Sequence, residues 1–217
     1  MIIAIDGPAG SGKSSTAKLL AKKLGFIYLD TGAMYRAITL FFLNNNIDIQ
    51  NIKSVKETLR KIKLSIKDDN KFEVYLNGQN VTDDLRGSNI DNFVSNVSKI
   101  LYVRKKMVSI QRDFANNQNI VVEGRDIGSN VFPNADFKFF LIADVMERAK
   151  RRLKEQKYQD SITLLELAKK IEIRDRIDSS RSISPLIKAD DAIEIDTTVL
   201  TINEQVKNIY DIIKEVT

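Results

Sequence analysis

Short apolar runs separated by amphipathic stretches organise this chain of 217 residues. The run Ile2–Ile5 stops at Asp6-Gly7, which is typical of a strand buried on both faces of a parallel sheet. The same reasoning predicts further strands along the chain. They are Phe26–Leu29, Ile120–Val122, Phe137–Ala143 and Ala192–Ile195.

Amphipathic segments between these runs predict helices. Apolar residues recur at i, i+3, i+4 and i+7 over Ser14–Leu24, and Gly25 suits the C-terminal end of that helix. Thr31 is the predicted N-cap of the next helix, and Thr201-x-x-Glu204 is a capping box that opens the last one. Strands that alternate with helices predict an α/β fold with a mainly parallel sheet and helices on both faces.

One stretch breaks this alternation. Leu64–Ile66 and Phe72–Leu76 alternate as strands do and predict an antiparallel hairpin that turns at Asp68-Asp69-Asn70. Gly78 and Asn80 predict the start of another turn. Because this patch lies between helical segments, we interpret it as a small lobe inserted into the α/β core.

The composition excludes several chemistries. The chain has no Cys, His or Trp, so disulfides, thiolate or imidazole catalysis and Cys- or His-rich metal sites are ruled out. The net charge of +5 favours anionic partners only mildly. Met1–Ile5 lacks the basic flank of a signal peptide, and the longest apolar run, Ile38–Leu43, broken only by Thr39, is too short to cross a bilayer. We therefore predict a cytoplasmic protein.

The segment between the first predicted strand and helix fits G-x-x-x-x-G-K-[ST]. Glycines in this motif let successive backbone N–H groups face phosphate oxygens, and the following helix adds the positive end of its dipole. Lys13 would reach the β- and γ-phosphates, and the Ser14 hydroxyl would face a Mg²⁺ ion held mostly through phosphates and water. The motif therefore predicts a nucleoside triphosphate site. The predicted loop comprises Gly7, Pro8, Ala9, Gly10, Ser11, Gly12, Lys13, Ser14 and Ser15.

The use of the triphosphate stays open between a switch or motor and a kinase for a small acceptor. The N-K-x-D motif of a GTPase is absent. A motor should carry an apolar run ending in Asp or Asp-Glu, but the nearest run, Ile120–Glu123, continues as Gly124-Arg125-Asp126. A small-molecule kinase needs arginines away from the loop to bring two anionic substrates together, and several of the chain's arginines lie beside acids or at helical spacing. This pattern favours the kinase.

The charge-dense stretch Glu147–Arg181 predicts helices outside the central sheet. Within it, Arg174, Asp178 and Arg181 follow at i, i+4 and i+7 and so share one helix face. Planar guanidinium groups placed in this way suit phosphate oxygens. The same trio also suits a solvated helix with surface salt bridges, and the residues alone leave both interpretations open.

Three further motifs carry a resemblance to a known family. They are Leu29–Arg36 (LDTGAMYR), Glu123–Gly128 (EGRDIG) and Asp196–Thr198 (DTT). With the loop, they make the chain resemble the bacterial cytidylate (CMP/dCMP) kinases nearly from end to end. The resemblance implies a P-loop kinase with a five-stranded parallel core, a nucleoside monophosphate (NMP) lobe with a small antiparallel β insertion, and a helical lid. It implies core segments at 1–36, 101–147 and 183–217, the NMP lobe at 37–100 with its insertion at about 63–82, and the lid at 148–182.

The resemblance also implies which residues bind the phosphate of CMP. Arg36, Arg125 and Arg174 would hold this phosphate. Glu123 is assigned to the same CMP site. It stands where the family often has Asp, so the charge is kept and the side chain reaches further.

The remaining residues of the implied CMP site face the base and the sugar. Ser95, Arg104 and Asp126 would read the cytosine edge. Asp178, helped by Arg174, would bind the sugar hydroxyls. A fixed Arg and a buried carboxylate can tell amino from keto groups, since an unpaired polar group costs about 1–3 kcal/mol.

The implied catalytic residues are Lys13 of the loop and Arg151, Arg174 and Arg181, which would close over the transferred group. The implied reaction moves the γ-phosphoryl group of ATP–Mg²⁺ to CMP or dCMP. Two alternatives stay open. The chain could be a kinase for another acceptor such as UMP, or it could be an ATP-binding regulator or nucleic-acid-binding protein without turnover. The expected partners are these small molecules, with no nucleic acid, no membrane and a monomeric chain.

Overall fold

A computed structural model gives the fold of residues 1–69, 71–155 and 162–216. The predicted turn residue Asn70 and residues 156–161 of the predicted lid lie outside the described residues. Within the described ranges, no helix has both the length and the apolar character needed to cross a membrane.

Strands and helices alternate along most of the chain, as the apolar pattern predicts. The strands are β1 (Ile2–Asp6), β2 (Ile27–Asp30), β3 (Leu64–Asp68), β4 (Phe72–Leu76), β5 (Gln79–Asn80), β6 (Ile120–Gly124), β7 (Phe137–Ile142) and β8 (Ile193–Asp196). The α-helices are α1 (Lys13–Leu24), α2 (Thr31–Asn44), α3 (Ile52–Lys61), α4 (Ser88–Ser98), α5 (Leu101–Ala115), α6 (Val145–Glu155), α7 (Leu164–Ser179) and α8 (Ile202–Val216). A 3₁₀ turn covers Thr82–Leu85 and a π-helical turn covers Ile127–Val131.

The main sheet has five strands in the order β2-β6-β1-β7-β8. β1 pairs in parallel with β6 and β7, and β7 pairs in parallel with β8. Ile3, Ala4 and Ile5 of β1 are fully buried, which explains why this central strand is apolar throughout. The carboxyl ends of parallel strands meet at one edge, so the residues that follow β1 and β6 are brought side by side.

The predicted hairpin is present as the antiparallel pair β3–β4, with Leu64 opposite Leu76. The prediction of a second turn is correct at Gly78 and wrong at Asn80. Asn77 and Gly78 form it, and Asn80 belongs to the short strand β5, which pairs with β4 through Tyr75. Asn77 adopts a positive φ of 50°, which Asn tolerates better than most residues, and this favours the earlier turn.

The chain divides into two compact units, one of residues 1–28 and 118–217 and one of residues 29–117. The first contains the parallel sheet strands β1, β6, β7 and β8 with α1, α6, α7 and α8. The second contains the antiparallel sheet with α2 to α5, and its core includes Met34, Ile38, Phe42 and Met107. The boundaries of core, lobe and lid that the resemblance implies stay a prediction.

Helix ends follow the sequence with one correction. Gly25 ends α1 in the left-handed conformation. The predicted capping box opens α8, since the Thr201 N–H donates to Glu204 Oε2 at 2.8 Å and the Glu204 N–H donates to Thr201 Oγ1 at 3.3 Å. The N-cap of α2 is Asp30, whose carboxylate accepts a 2.9 Å hydrogen bond from the Ala33 N–H, and the predicted cap Thr31 is the first helical residue. Asp and Thr are both good capping residues, so the pattern alone could not choose between neighbours.

Candidate nucleotide-binding site

The glycine-rich loop connects β1 to α1, and the surrounding residues leave no room for a side chain at its glycines. Gly12 caps α1 with φ 91°, and a Cβ there would lie 2.8 Å from Oε1 of Gln205. The same Gln205 oxygen accepts a 2.7 Å hydrogen bond from the Thr16 hydroxyl. Thr197 donates from Oγ1 to the Ser11 carbonyl at 2.9 Å. The loop is therefore held in shape from the side of α8 and the end of β8.

Lys13 lies inside this loop and is almost fully buried, with 6% of its surface exposed. Its Nζ donates to the Pro8 carbonyl at 3.1 Å. Burial, followed by the positive charge of Arg125, lowers the pKa of Lys13 to about 7, whereas Glu123 acts in the opposite direction. An anionic phosphate beside Lys13 would restore its charged form.

Ser14 and Glu123 form the hydroxyl–carboxylate pair of this site. Ser14 Oγ donates to Glu123 Oε1 at 2.6 Å, and Glu123 is 3% exposed at the end of β6. Mg²⁺ prefers oxygen donors and is commonly held by one or two carboxylates together with phosphates and water. The described residues hold no group of three or more acidic side chains that could bind a metal ion alone. A hydroxyl and one carboxylate therefore fit a Mg²⁺ ion shared with phosphates.

Arg125 and Asp178 form a buried ion pair in the same unit. Arg125 Nε donates to Asp178 Oδ2 at 3.1 Å, and the Asp178 side chain is 5% exposed. Burial alone would lower the pKa of Arg125, but Asp178 and then Glu123 outweigh it and raise the pKa. Arg181 approaches the other carboxylate oxygen at 3.8 Å. Asp178 thus holds two predicted phosphate-contacting arginines together.

The predicted helix face of Arg174, Asp178 and Arg181 needs one correction. Helix α7 ends at Ser179, so Arg181 lies beyond the helix and returns to Asp178 through Nε, which donates to the Asp178 carbonyl at 3.1 Å. Arg174 is within the helix and is close enough to Lys13 to lower its pKa. The three residues therefore stay together, although only two of them are helical.

Arg151, which the resemblance assigns to catalysis, contacts the chain after β8. Its guanidinium donates from Nη1 to the Thr197 hydroxyl at 3.1 Å and from Nη2 to the carbonyls of Thr197 and Thr198. Because Thr197 also holds Ser11 of the loop, Arg151 supports the loop indirectly in this structure.

Asp126 follows Arg125 and is held in a tight turn by a residue that the motifs did not single out. Asp6, at the end of β1, accepts 2.8 Å hydrogen bonds from the N–H groups of both Ile127 and Gly128. Burial raises the pKa of Asp6 to about 7, although these two hydrogen bonds oppose the shift. Asp6 therefore fixes the turn that carries Arg125 and Asp126.

In the second unit, Arg104 and Ser95 lie on the adjoining helices α5 and α4. Arg104 is 2% exposed, donates to the Ser98 carbonyl at 3.3 Å and lies 5.5 Å from the centre of the Tyr35 ring, within cation–π range. The Ser98 hydroxyl donates to the Ser95 carbonyl at 3.0 Å. Ser95 and Arg104 are thus joined through a single residue.

Arg36, also in the second unit, lies on α2 and pairs with Asp91 of α4. Its Nη2 donates to Asp91 Oδ1 at 3.2 Å, and both side chains are less than one-fifth exposed. Sequence reasoning did not identify Asp91, because nothing in its local pattern separates it from a solvated acid. The pair restricts the position of a predicted phosphate-binding arginine.

A family model described as cytidylate kinase matches residues 3–215. The chain belongs to the cytidylate kinase family. A cytidylate kinase from Fusobacterium nucleatum is 49% identical over 217 residues, which cover 100% of this chain and 98% of the relative. A cytidylate kinase from Cytophaga hutchinsonii is 47% identical over 216 residues, covering 98% and 92%. The predicted resemblance is therefore confirmed.

The α/β fold predicted for this member of the cytidylate kinase family is also confirmed, since the chain has the five-stranded parallel sheet and the small antiparallel sheet. An uncharacterized protein from Eubacterium ventriosum superposes with a TM-score of 0.51 and 14% identity, covering 99% of this chain and 98% of that one. That likeness concerns the fold alone.

Two more residues of this cytidylate kinase family member were not recognised as part of the site. Arg148 and Asp175 belong to the charge-dense stretch Glu147–Arg181, and the sequence does not distinguish them from its other charged residues. In the structure both contact Ala9 of the loop. The only available signal was position, since Asp175 directly follows Arg174.

Proposed function

We propose that the chain transfers the γ-phosphoryl group of ATP to CMP or dCMP, giving ADP and the nucleoside diphosphate. One observation supports this proposal above all. In this chain, a member of the cytidylate kinase family, the buried Lys13 of the phosphate loop lies in the same compact unit as the Arg125–Asp178 ion pair. The acceptor is a phosphate oxygen, already nucleophilic at neutral pH, so positioning and charge neutralisation suffice and the missing histidine is no obstacle.

The loop is proposed to bind the donor. Backbone N–H groups of the loop and the N-terminus of α1 would surround the phosphates, and Lys13 would contact the β- and γ-phosphates. Ser14 and Glu123 would hold Mg²⁺, with phosphates and water completing its shell. When bound, this ion would neutralise charge on the phosphates of the donor.

The acceptor is proposed to be held by the residues that the family resemblance assigns. Arg125, Arg174 and Arg36 would bind its phosphate, since guanidinium groups bind phosphate oxygens bidentately. Asp178 would accept hydrogen bonds from the sugar. The described contacts support the Arg125 and Asp178 assignments, because these side chains are already oriented by each other.

Base recognition is proposed to rest on Ser95, Arg104 and Asp126. Arg104 is oriented by the Tyr35 ring and by the Ser98 carbonyl, so contacting the base would cost this side chain little conformational entropy.

Closure of the lid is the remaining part of the proposed mechanism. Residues 148–182 would act as the lid, in which Arg151, Arg174 and Arg181 would neutralise the transferring group and exclude water. ATP and CMP or dCMP are the proposed small-molecule partners. A monomeric state, the absence of nucleic-acid and membrane partners and a cytoplasmic location remain predictions.

A panel assay tests the function. ADP formation from ATP would be measured with CMP, dCMP, UMP, AMP, GMP and RNA, with Lys13→Met as the inactive variant and Lys22→Met, an exposed lysine of the same helix, as its matched control. We expect CMP and dCMP to give the highest kcat/KM. A preference for UMP would instead support a kinase for another nucleoside monophosphate. ADP formation that only RNA stimulates, or that none of the added compounds stimulates, would contradict the proposal.

A further inference from the structure

The peptide group between Pro8 and Ala9 is hydrogen-bonded at both ends by charged side chains. Its carbonyl, Pro8 O, accepts from Lys13 Nζ at 3.1 Å. Its N–H, on Ala9, donates to Asp175 Oδ1 at 2.9 Å. One rigid peptide plane thus lies between the carboxylate of Asp175 and the ammonium of Lys13. Hydrogen bonds in such a chain polarise and strengthen each other.

Arg148 holds Asp175 in this position. Its Nη1 contacts Asp175 Oδ2 and also donates to the Ala9 carbonyl at 3.1 Å, while its Nε donates to the Ala143 carbonyl at 2.9 Å. The Arg148 and Asp175 side chains are only 10% and 16% exposed. Ion pairs with so little exposure are screened weakly by salt, so this contact is less sensitive to ionic strength than a surface salt bridge.

Apolar packing supports the same contact. Ala9 is buried in a cluster with Ala149 of α6 and with Leu167, Ala168 and Ile171 of α7. The start of the loop therefore rests on the α6–α7 pair, and Asp175 fixes its orientation there. A peptide flip at Pro8–Ala9 would break both hydrogen bonds at once.

Asp175 is also placed between the other groups of the site. It follows Arg174 directly and precedes Asp178 by three residues on α7. Its charge favours the protonated form of both Lys13 and Arg125: it opposes the burial that lowers the pKa of Lys13, and it adds to Asp178 and Glu123, which raise the pKa of Arg125. Asp175 itself has no role in binding either substrate in the proposed function.

We propose that Asp175, held by Arg148, is a positioning residue that orients the Pro8–Ala9 peptide and through it Lys13. This inference deepens the proposed phosphoryl transfer and rests on it. Because Asp175 lies on α7, this contact would fix the distance between Lys13, which is proposed to contact the donor, and α7, which carries Arg174. A salt bridge that merely stabilised α7 would have no such effect on turnover.

The test compares Asp175→Asn and Asp175→Ala with Glu172→Gln, which removes an exposed charge from the same helix. Arg148→Lys is the second variant, because lysine keeps the positive charge but cannot contact Asp175, the Ala9 carbonyl and the Ala143 carbonyl at the same time, as the guanidinium group does. Wild-type protein is assayed first with ATP and CMP. Lack of CMP-dependent turnover there would reject the proposed function and leave the contact itself to be tested by hydrogen exchange of the Ala9 amide.

We expect Asp175→Ala to lower kcat by about 10–100-fold, because small displacements of a positioned group have costs of that size. The KM for CMP should change by less than about threefold, and the Ala9 amide should exchange faster with solvent. Arg148→Lys should show a smaller fall in kcat in the same direction, and Glu172→Gln should match wild type. Folded Asp175 and Arg148 variants with wild-type kcat, or an unchanged Ala9 exchange rate in Asp175→Ala, would overturn the proposal.

Discussion

Ser14 and Glu123 share a 2.6 Å hydrogen bond from the serine hydroxyl to the carboxylate. They come from the first turn of α1 and the end of β6, and they meet because β1 and β6 are parallel neighbours, with Ile5 opposite Glu123. The resemblance assigns Glu123 to the CMP site, whereas its contact in the structure is with the hydroxyl proposed to face Mg²⁺. A role of Glu123 in the CMP site and a role beside Mg²⁺ predict different effects when the carboxylate is removed.

Glu123→Gln tests them. The amide still occupies the position but lacks the charge, so we expect the Mg²⁺ concentration for half-maximal activity to rise by about 10–100-fold, as for changes to residues that support a metal. Activity would be measured over a Mg²⁺ titration at fixed ATP, with the exposed substitution Asp211→Asn as control. An unchanged Mg²⁺ dependence with a raised KM for CMP would return Glu123 to the acceptor site.

Asp178→Ala removes one partner of the buried Arg125–Asp178 pair. Breaking a fully buried pair in this way costs about 3–5 kcal/mol. The Arg125 side chain is 17% exposed and keeps the charges of Glu123 and Asp175, so we expect the free energy of unfolding in urea to fall by less than this. The KM for CMP should rise more than the KM for ATP, because Asp178 is proposed to contact the sugar. Asp190→Ala, at an exposed position, should change neither quantity. An equal rise in both KM values would argue against a sugar contact.

Local patterns predicted much of this molecule. The buried strand β1, the loop and the capping boxes each depend on residues within a few positions of one another, and so does the motif Glu123–Gly128. Local rules fix such features before tertiary packing acts. The same rules place the cap of α2 one residue late, and they wrongly assign Asn80 of β5 to the second turn of the small sheet.

Contacts between distant residues could not be predicted in this way. Asp175 meets Ala9 across 166 positions and Asp6 meets Ile127 across 121. Both are bonds from backbone N–H groups to carboxylates, and any acid of suitable length satisfies such a donor. Which acid does so depends on the packing of α7 and of the sheet, and the sequence pattern of a single helix or strand does not contain that information.

Arg104→Lys tests base recognition in the second unit. Lysine keeps the charge but loses the planar group that lies near Tyr35 and bonds to Ser98. If Arg104 reads the cytosine edge, the ratio of kcat/KM for CMP to that for UMP should fall by about tenfold, the equivalent of about 1.4 kcal/mol. Lys105→Ala, exposed on the same helix, should leave the ratio unchanged. An equal fall in kcat/KM for CMP and for UMP would show that Arg104 stabilises the packing of the second unit and does not recognise the base.

Asp6 gives a prediction on pH. Its folded-state pKa of about 7 lies above its ordinary value of 3.8, mainly through burial. Between these values the folded chain keeps a proton that the unfolded chain has released, so the stability that Asp6 contributes is full below pH 3.8 and is lost as the pH rises through 7. Asp6→Asn cannot titrate and should therefore destabilise most at low pH, with the difference from wild type shrinking towards pH ~8. Urea unfolding of both proteins across this pH range measures the difference in their free energies of unfolding. If this difference grew with pH, the hydrogen bonds from Ile127 and Gly128 would outweigh burial and keep Asp6 ionised.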